Sequence, residues 1–404
     1  MSRFLVASFG DPGHAFPVIA LGRELAARGH EVRLQTWVKW REHVEREGMR
    51  FEPAPEYHVF PTPETRGLKP YQAAVRAARE TQPLIAEFAP DAIVADILTV
   101  AAGLAAELSG RPWASLVPHV LPTPESGFPP YSMGARLPRT RAGAALWRTL
   151  DPLLMAGLRR GRDELNGARE RLGLPSIEDL HGGLSRRLTI VATFPQLEYP
   201  RRWEPWQRVV GPLMWEQPYG EVELPPGDDP LVLVAPSTSQ DPAQKMLRAS
   251  IEGLANERVR VLATFNRRPP PQPIEMPRNA RLVEWVSYAK TMPRCDVVVC
   301  HAGHGTVARS LASGVPVVAC PAAGDMAENA ARIAWAGVGV GLPRRLVTAR
   351  GVRLAVKRVV GDVHLRGRAR RLGEWSEQHD GAAIAADLLE DFAETPQPAR
   401  GGLR

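Results

Sequence analysis

Two loops in the last third of the chain carry the residues with the clearest chemical potential. The first has the sequence HAGHGT at 301–306, between an apolar segment at 297–300 and a helical pattern. Its backbone N–H groups, the helix N-terminus and the His301 imidazole suit a phosphate. The second loop delivers Asp325, whose carboxylate repels phosphate but accepts hydrogen bonds from hydroxyl groups. Together they favour a nucleotide-linked sugar over a plain dinucleotide as the ligand.

The nucleotide part of this site draws on several segments. Five residues of the first loop are predicted to bind the diphosphate: His301, Gly303, His304, Gly305 and Thr306. In the alternative interpretation, the ring nitrogens of His301 only form hydrogen bonds with loop carbonyls, and His304 is an exposed residue without a role. Ser237 and Thr238 follow another apolar segment, and their hydroxyl groups either reach phosphate or only cap a helix. Trp285 either stacks on a nucleobase or packs in the core.

A second pair of residues suggests base catalysis. His14 lies in the loop after the first apolar segment, and Asp96 directly follows another. The two side chains can meet, because parallel strands share a carboxyl edge. A carboxylate that binds one imidazole nitrogen leaves the other free as a base. A base of this kind accelerates the reaction of a hydroxyl nucleophile roughly 10²–10⁴-fold. The alternatives are a His that only caps a helix and an Asp that is a helix N-cap.

Alternating strand and helix patterns position these residues. Strand patterns fall at 4–8, 31–36, 91–95, 113–117 and 189–193, and again at 231–235, 259–265, 281–285, 297–300 and 315–319. The strand at 189–193 is predicted to be the last of the first half. Helical patterns cover 71–88, 144–172, 241–255, 351–361 and 363–394, and Pro17 is placed in the first turn of the first helix. We therefore predict an α/β fold with two doubly wound, Rossmann-like domains across a cleft: 1–210, a linker at 211–230, and 231–374.

The composition excludes several classes of protein. Of the 404 residues, 44% are hydrophobic and 24% charged, as in an ordinary globular protein. The net charge is +7, but the Arg residues are spread along the chain, so nucleic acid is not an expected partner. No apolar run reaches the length of a membrane span, and a strand pattern at the N-terminus leaves no room for a signal peptide.

Cofactors are not expected from the sequence. The three cysteines, Cys295, Cys300 and Cys320, have neither metal-ligand spacing nor a disulfide pattern. No D-x-D pair of carboxylates or His/Cys cluster indicates an obligatory metal. These features favour a cytoplasmic protein without metal or other cofactor.

The motifs resemble the inverting family 1 (UGT-type) glycosyltransferases of GT-B fold, particularly bacterial members that decorate antibiotics and other natural products. The resemblance covers nearly the whole chain. At the N-terminus it is carried by Gly10-x-x-Gly13-His14-x-x-Pro17 and by the sequence RGHEV at 28–32. In the second half it is carried by His301-x-Gly303-x-Gly305-Thr306, Gly314-x-Pro316, Pro321 and Asp325-x-x-x-Asn329-Ala330.

The resemblance implies a metal-independent enzyme that inverts the anomeric carbon of a nucleotide-sugar in one in-line displacement. It makes His14 the base that deprotonates the acceptor and Asp96 its partner. It assigns Trp285 and the Val286 backbone to the nucleobase, and Asp325 to the sugar hydroxyls. Residues 375–394 would return to the first domain as a helix, and the loops at 53–70 and 118–143 would line the site of a small, apolar or aromatic acceptor. A monomer or homodimer is expected.

Two departures from the family pattern bear on the donor. Arg309 stands where the family usually has a Glu that binds the ribose hydroxyls, and Met326 stands where it has a Gln that contacts the sugar. Both changes remove hydroxyl contacts. We therefore expect a dTDP-linked sugar, deoxygenated or not, and a UDP-sugar is the alternative donor.

Three other functions compete with glycosyl transfer. The His14–Asp96 pair and the loops predicted to line an acceptor site argue against a sugar-nucleotide epimerase of the same fold. A non-catalytic auxiliary protein that binds nucleotide-sugars would be favoured by loss of His14 or Asp96, and both are present. A nicotinamide oxidoreductase is disfavoured, because no acidic residue follows Gly303-x-Gly305-x-x-Ala308 at the expected spacing.

Overall fold

The computed structural model describes residues 1–55, 70–180, 182–237, 241, 243–322 and 324–395. Two parallel sheets, one in each half of this part of the chain, confirm the predicted doubly wound architecture. The first sheet has the order β3-β2-β1-β4-β5-β6-β7. Its strands are β1 (Arg3–Ala7), β2 (Glu31–Thr36), β3 (Arg50–Pro53), β4 (Ala92–Asp96), β5 (Trp113–Val117), β6 (Thr189–Val191) and β7 (Gln207–Val209).

The second sheet repeats the plan with the order β10-β9-β8-β11-β12-β13. Its strands are β8 (Leu231–Ala235), β9 (Arg260–Thr264), β10 (Ala280–Val283), β11 (Val297–Cys300), β12 (Val317–Ala319) and β13 (Gly339–Gly341). The central strands are buried along almost their whole length, as parallel strands covered by helices on both faces must be.

Helices cover both sheets. In the first half they are α1 (Pro12–Ala27), α2 (Arg41–Arg46), α3 (Pro70–Phe88), α4 (Val100–Leu108), α5 (Arg141–Arg148) and α6 (Asp151–Arg171). In the second they are α7 (Lys245–Leu254), α8 (Tyr288–Thr291), α9 (His304–Ala312), α10 (Met326–Ala336), α11 (Ala349–Gly361), α12 (Val363–Gln378) and α13 (Gly381–Glu394). None of the helices in the described ranges is both long and apolar enough to cross a membrane.

The switch point of each sheet positions one loop cluster. In the first sheet, Ala7 of β1 pairs with Ala95 of β4, so the residues that follow these two strands emerge side by side. In the second, Ala235 of β8 pairs with Cys300 of β11, which places residue 301 beside the end of β8. Ligands bind at such points in open parallel sheets.

Several element boundaries differ from the prediction. The first helix begins at Pro12, so His14 lies in its first turn rather than in a loop, and Pro17 lies inside the helix. The strand β6 is not the last of its sheet, because β7 follows it. The predicted helix over 144–172 is two helices, α5 and α6, with Pro152 at the start of the second, where a missing N–H costs nothing.

The predicted helix at 363–394 is also broken in two. Asp380 caps α13 by accepting hydrogen bonds from the amides of Ala382 (2.9 Å) and Ala383 (3.2 Å), and α12 ends before it. The helix α12 packs on the second sheet, whereas α13 packs its Ala, Leu and Phe face on the core of the first. On α13, Asp387 and Glu390 also bind Arg28 of α1, with N–O distances of 2.6 and 2.9 Å.

An apolar seam joins the two halves. Val120, Phe194 and Leu197, all from the first half, are buried within the core of the second sheet. The Phe194 ring lies 5.6 Å from that of Trp375 in α12. Each large apolar side chain that is fully buried contributes about 1.5–3 kcal/mol to stability. The seam therefore holds the carboxyl edges of the two sheets opposite each other.

Candidate active site

His14 and Asp96 form a buried pair at the carboxyl edge of the first sheet. Nδ1 of His14 lies 2.8 Å from Oδ1 of Asp96, and it donates because an ionised carboxylate can only accept. The other carboxylate oxygen accepts from the Phe9 amide at 3.1 Å. The Asp96 side chain is completely buried, whereas that of His14 is 16% exposed. In the neutral imidazole, this geometry places the proton on Nδ1 and leaves Nε2 able to accept one.

The pKa of His14 is raised above its ordinary value. Burial alone lowers the pKa, but the charge and hydrogen bond of the Asp96 carboxylate outweigh it, and Asp325 from the second half adds to the increase. The imidazolium that forms after proton transfer is thus stabilised.

His119 lies beside His14, although no motif in the sequence pointed to it. The two ring centroids are 6.1 Å apart with the rings almost perpendicular, and the Tyr131 ring lies 6.3 Å beyond. Nδ1 of His119 donates to the carbonyl of Val120 at 2.8 Å. Burial lowers the pKa of His119, and the charge of His14 lowers it further. His119 and Tyr131 both belong to the segment at 118–143 that was predicted to line the acceptor site.

His301 directly follows β11 and reaches back to β8. Nδ1 lies 3.3 Å from the carbonyl oxygen of Ala235, so the ring is oriented by a neutral partner rather than a carboxylate. Burial lowers the pKa of His301. The opposite nitrogen, Nε2, lies over Gly303, where any side chain would clash, since a Cβ at this position would be only 2.3 Å from Nε2. Gly303 is therefore required by the close approach of the imidazole and not by its own φ of −62°.

The backbone between His301 and Gly303 is strained. Ala302 is fully buried with φ of 64°, a left-handed conformation that residues with a Cβ rarely adopt. Its carbonyl accepts a hydrogen bond of 2.9 Å from the side-chain amide of Asn329 in α10. The Asn of the family-like motif thus fixes the loop, and Gly303 then caps α9 so that the amides of His304, Gly305 and Thr306 are free at the helix N-terminus.

The other residues predicted to bind the diphosphate differ in where the structure places them. His304 begins α9, and both of its ring nitrogens are buried. Burial, followed by the charge of His119, lowers the pKa of His304 to about 3. Ser237 is buried just beyond β8, on the same edge. Thr238 lies outside the described residues, as does most of the predicted acceptor loop at 53–70.

Trp285 and Val286 follow β10 at the same edge of the second sheet. Val286 is buried, whereas Trp285 is half-buried and has the guanidinium of Arg267 stacked 4.7 Å from its ring centroid. Arg267 follows β9, has φ of 58° and donates to the side chain of Gln217 at 3.1 Å. Any base that stacks on Trp285 must use the ring's other face or displace Arg267.

The residues predicted for the sugar begin α10. Asp325 is its N-cap residue, and Met326 is its first residue and packs, partly buried, against the core of the second sheet. Arg309, in the middle of α9, makes no ion pair with any residue that the structure describes. Burial lowers the pKa of Arg309, Glu216 opposes this change, and Arg23 of α1 adds to it.

The arrangement combines a base with an anion site. His14 can remove a proton from a bound hydroxyl, while the start of α9 and His301 can hold a negatively charged leaving group opposite it. Within the described ranges, no three His, Cys, Asp or Glu side chains come together as metal ligands. One sequence signal could have revealed His119: it follows β5, at the same edge as His14 and Asp96.

Comparison with known proteins identifies two family models. Residues 249–390 match the Erythromycin biosynthesis protein CIII-like C-terminal domain, and residues 4–114 match the Glycosyltransferase family 28 N-terminal domain. The chain is similar to 4'-demethylrebeccamycin synthase of Lentzea aerocolonigenes, with 32% identity over 96% of this chain and 99% of that one. It is 29% identical to the O-mycaminosyltylonolide 6-deoxyallosyltransferase of Streptomyces fradiae, over 97% and 98% of the two chains.

A solved structure shares the fold. The glycosyltransferase VinC, in complex with dTDP, superimposes with a TM-score of 0.72 at 18% identity, covering 97% of this chain and 99% of that one. The chain therefore has the fold of that structure.

Proposed function

The chain belongs to the bacterial natural-product glycosyltransferases of GT-B fold, and we propose that it moves a sugar from a dTDP-linked donor to a small apolar acceptor with inversion. The observation that carries this proposal is the His14–Asp96 pair, with its 2.8 Å bond, facing Asp325 and the start of α9. A non-catalytic binding protein has no use for such a base.

The acceptor half supplies the base. Asp96 holds the proton of the imidazole on Nδ1, so Nε2 of His14 accepts the proton of an acceptor hydroxyl as its oxygen attacks the anomeric carbon. The bond from the acceptor oxygen to that carbon forms while the bond to the diphosphate oxygen breaks, and the electron pair leaves with the diphosphate. Attack from the face opposite the leaving group inverts the configuration of the carbon.

The donor half stabilises the leaving group. The amides at the start of α9 point towards a bound diphosphate, and the positive end of the helix dipole favours its charge. Nε2 of His301 lies close to Gly303, the residue that precedes these amides. A histidine and a helix N-terminus together can replace a metal ion in this role, so we propose that transfer is metal-independent. Activity that persists after extensive dialysis against EDTA tests this point.

The donor is proposed to be a dTDP-linked sugar that lacks one or more hydroxyl groups. Met326 offers no hydrogen bond to a sugar hydroxyl, and Arg309 does not accept from the ribose as a carboxylate would. Two comparisons support this choice: dTDP is the nucleotide in the VinC structure, and the Streptomyces fradiae relative is a 6-deoxyallosyltransferase.

The acceptor site is proposed to be lined by aromatic rings. His119 and Tyr131 lie in succession beside His14, and the Phe9 ring also lies 6.1 Å from the His14 ring, centroid to centroid. The ring faces suit a flat or apolar molecule that presents its nucleophilic group to Nε2 of His14.

A screen of donors and acceptors tests the function. The protein is incubated with dTDP- and UDP-sugars and a panel of phenolic and polyketide acceptors, and products are detected by mass spectrometry. We expect a new glycoside with a dTDP-sugar, and NMR of the product then gives its anomeric configuration. A clear preference for UDP-glucose would overturn the donor assignment. Sugar interconversion without an acceptor would instead indicate an epimerase.

A further inference from the structure

A cluster of buried charges joins the acceptor and donor halves. Arg332 of α10 binds Glu198 of the first half with an N–O distance of 2.9 Å, and it binds Glu328, one turn earlier on α10, at 2.8 Å. The three residues are only 3–6% exposed. Isolated charges are costly to bury, so this cluster is stable only when its partners remain together.

Glu198 also holds the acceptor segment. Its other carboxylate oxygen accepts from the amide of Leu121 at 2.6 Å, two residues beyond His119. Nearby, Arg201 donates to the hydroxyl of Thr123 at 2.9 Å and to the Thr123 carbonyl. A single carboxylate therefore contacts the acceptor segment through one oxygen and the donor helix through the other.

Arg332 is held on every side. Besides the two carboxylates, it donates to the carbonyl of Leu197 at 3.1 Å, and its guanidinium lies 3.7 Å from the ring centroid of Tyr199. Such a planar, multiply bonded guanidinium has one orientation, which a Lys could not reproduce. The same helix begins at Asp325, so the contacts of Arg332 fix the position of the sugar-binding end of α10.

The apolar seam and the ion cluster make different contributions. The seam favours contact between the halves but is non-directional, whereas charged hydrogen bonds specify one relative placement. The charges of Glu198, Glu328, Arg201 and Arg332 sum to zero, so the closed cleft buries no net charge here. If the halves shifted, Glu198 would lose its cation while still bonded to Leu121.

We infer that Glu198 and Arg332 are positioning residues that set the distance between the base His14 and the donor sugar at Asp325. The inference rests on the proposed function. It predicts that loss of this contact leaves nucleotide binding intact, since the start of α9 lies wholly in the second half, but misplaces the acceptor relative to the donor. Water would then compete better for the activated sugar.

Two variants and one matched control test the inference. Arg332→Met removes the central cation, and Glu198→Gln weakens the same contact while keeping an acceptor for the Leu121 amide. The control is Arg169→Met, which breaks the bidentate pair of buried Arg169 with Glu107 (3.0 and 2.7 Å) inside the first half alone. Each is assayed for dTDP affinity, for glycoside formation with a donor and phenol that the wild type accepts, and for donor hydrolysis.

We expect Arg332→Met to lower kcat for transfer about 100-fold, the usual effect of a misplaced reacting group. Its dTDP affinity should stay within a factor of two or so, and the hydrolysis-to-transfer ratio should rise. Glu198→Gln should act in the same direction but more weakly, and the double variant should be no worse than Arg332→Met, because both break one contact. Arg169→Met should lower the melting temperature without changing that ratio.

Several outcomes would overturn the inference. If Arg332→Met and Glu198→Gln lose only thermal stability, as the control does, the cluster is merely structural. If Arg332→Met does not fold, the test rests on Glu198→Gln. An unchanged kcat and an unchanged hydrolysis-to-transfer ratio in that variant would also show that the cluster is merely structural. Failure of the wild type to glycosylate any acceptor counts against the proposed function instead, and is seen before any variant is made.

Discussion

His14 and His301 occupy matching places in the two halves but are prepared for opposite tasks. Each lies at the carboxyl edge of a parallel sheet, near the switch point, with its Nδ1 bonded to a neighbouring strand. The partner differs: a carboxylate at 2.8 Å for His14, and a backbone carbonyl at 3.3 Å for His301. The pKa of His14 is raised against burial by Asp96, while burial lowers the pKa of His301.

The comparison shows that the fold supplies the location and the Nδ1 partner supplies the chemistry. An imidazole beside a carboxylate gains stability when it takes up a proton, as a base must. An imidazole beside a carbonyl stays neutral until an anion arrives. The two sites are therefore expected to depend on pH in opposite directions, and the following experiments probe this difference.

The largest effect is expected from removing the base. His14→Ala should lower kcat for transfer by about 10³-fold or more, within the usual range for loss of a general base, and should leave dTDP affinity unchanged. Product formation and calorimetric dTDP binding measure the two quantities. His30→Ala is the matched control, because His30 binds the Ser2 amide and Glu390 away from the cleft. Transfer that survives in His14→Ala would remove His14 from the mechanism.

Replacing the partner of the base is expected to shift the pH profile. Asp96→Asn should lower kcat/KM about 100-fold, because Asn no longer stabilises the imidazolium or selects its tautomer. In the wild type, kcat/KM falls as the pH drops through the pKa of His14, which Asp96 raises. Without the carboxylate, burial dominates and this pKa falls, so the acid limb of the residual activity should move to lower pH.

A second carboxylate, at the other end of the same strand, is a control for the Asp96 experiment. Asp91 precedes β4 at the opposite edge of the sheet, where it accepts from the Arg3 amide at 2.7 Å. Asp91→Asn should leave the acid limb in place. An acid limb that is equally unmoved in Asp96→Asn would show that a group other than His14 sets it.

The donor histidine should respond to pH in the opposite sense. With Nδ1–H donating to Ala235, neutral His301 has only a lone pair at Nε2, and a diphosphate can only accept. Binding of dTDP should therefore take up a proton, and affinity should weaken as the pH rises, by at most about tenfold per pH unit. Calorimetry in two buffers of different ionisation enthalpy measures the uptake.

Substitution of His301 tests whether it is the group that takes up the proton. His301→Gln should bind dTDP about tenfold more weakly, the loss of one charged hydrogen bond, and its affinity should be flat with pH. Binding without proton uptake in the wild type would mean that His301 donates from Nε2 as the neutral tautomer.

The sequence predicts those parts of the site that depend on strand ends. His14, Asp96 and His301 each follow a clear apolar strand pattern, so their meeting at a sheet edge follows from parallel pairing. The short strands β3, β7 and β13, of three or four residues, were missed because such lengths give no recognisable period. The break at Asp380 depends on a capping bond that competes with a continuous helical pattern.

Contacts between the halves could not be predicted. Glu198 and Arg332 are 134 positions apart, and each alone resembles an ordinary exposed charge. Their burial follows only from how the two sheets face each other. His119 was hidden in the same way, in a Pro-rich segment whose course is set by packing against both halves rather than by any local period.

The smallest expected effect concerns recognition of the donor sugar, which lies on the same side of the cleft as His301. Met326 begins α10 beside Asp325 and offers no hydrogen bond. Met326→Gln adds an amide that can form a hydrogen bond with one sugar hydroxyl. One such bond strengthens binding about 2- to 10-fold. We expect kcat/KM for dTDP-glucose to rise by this factor relative to dTDP-6-deoxyglucose. Met276→Gln, a change at a 37% exposed Met of the same half, is the control. The two donors differ only in the 6-hydroxyl, so an equal change for both would show that residue 326 does not contact that hydroxyl.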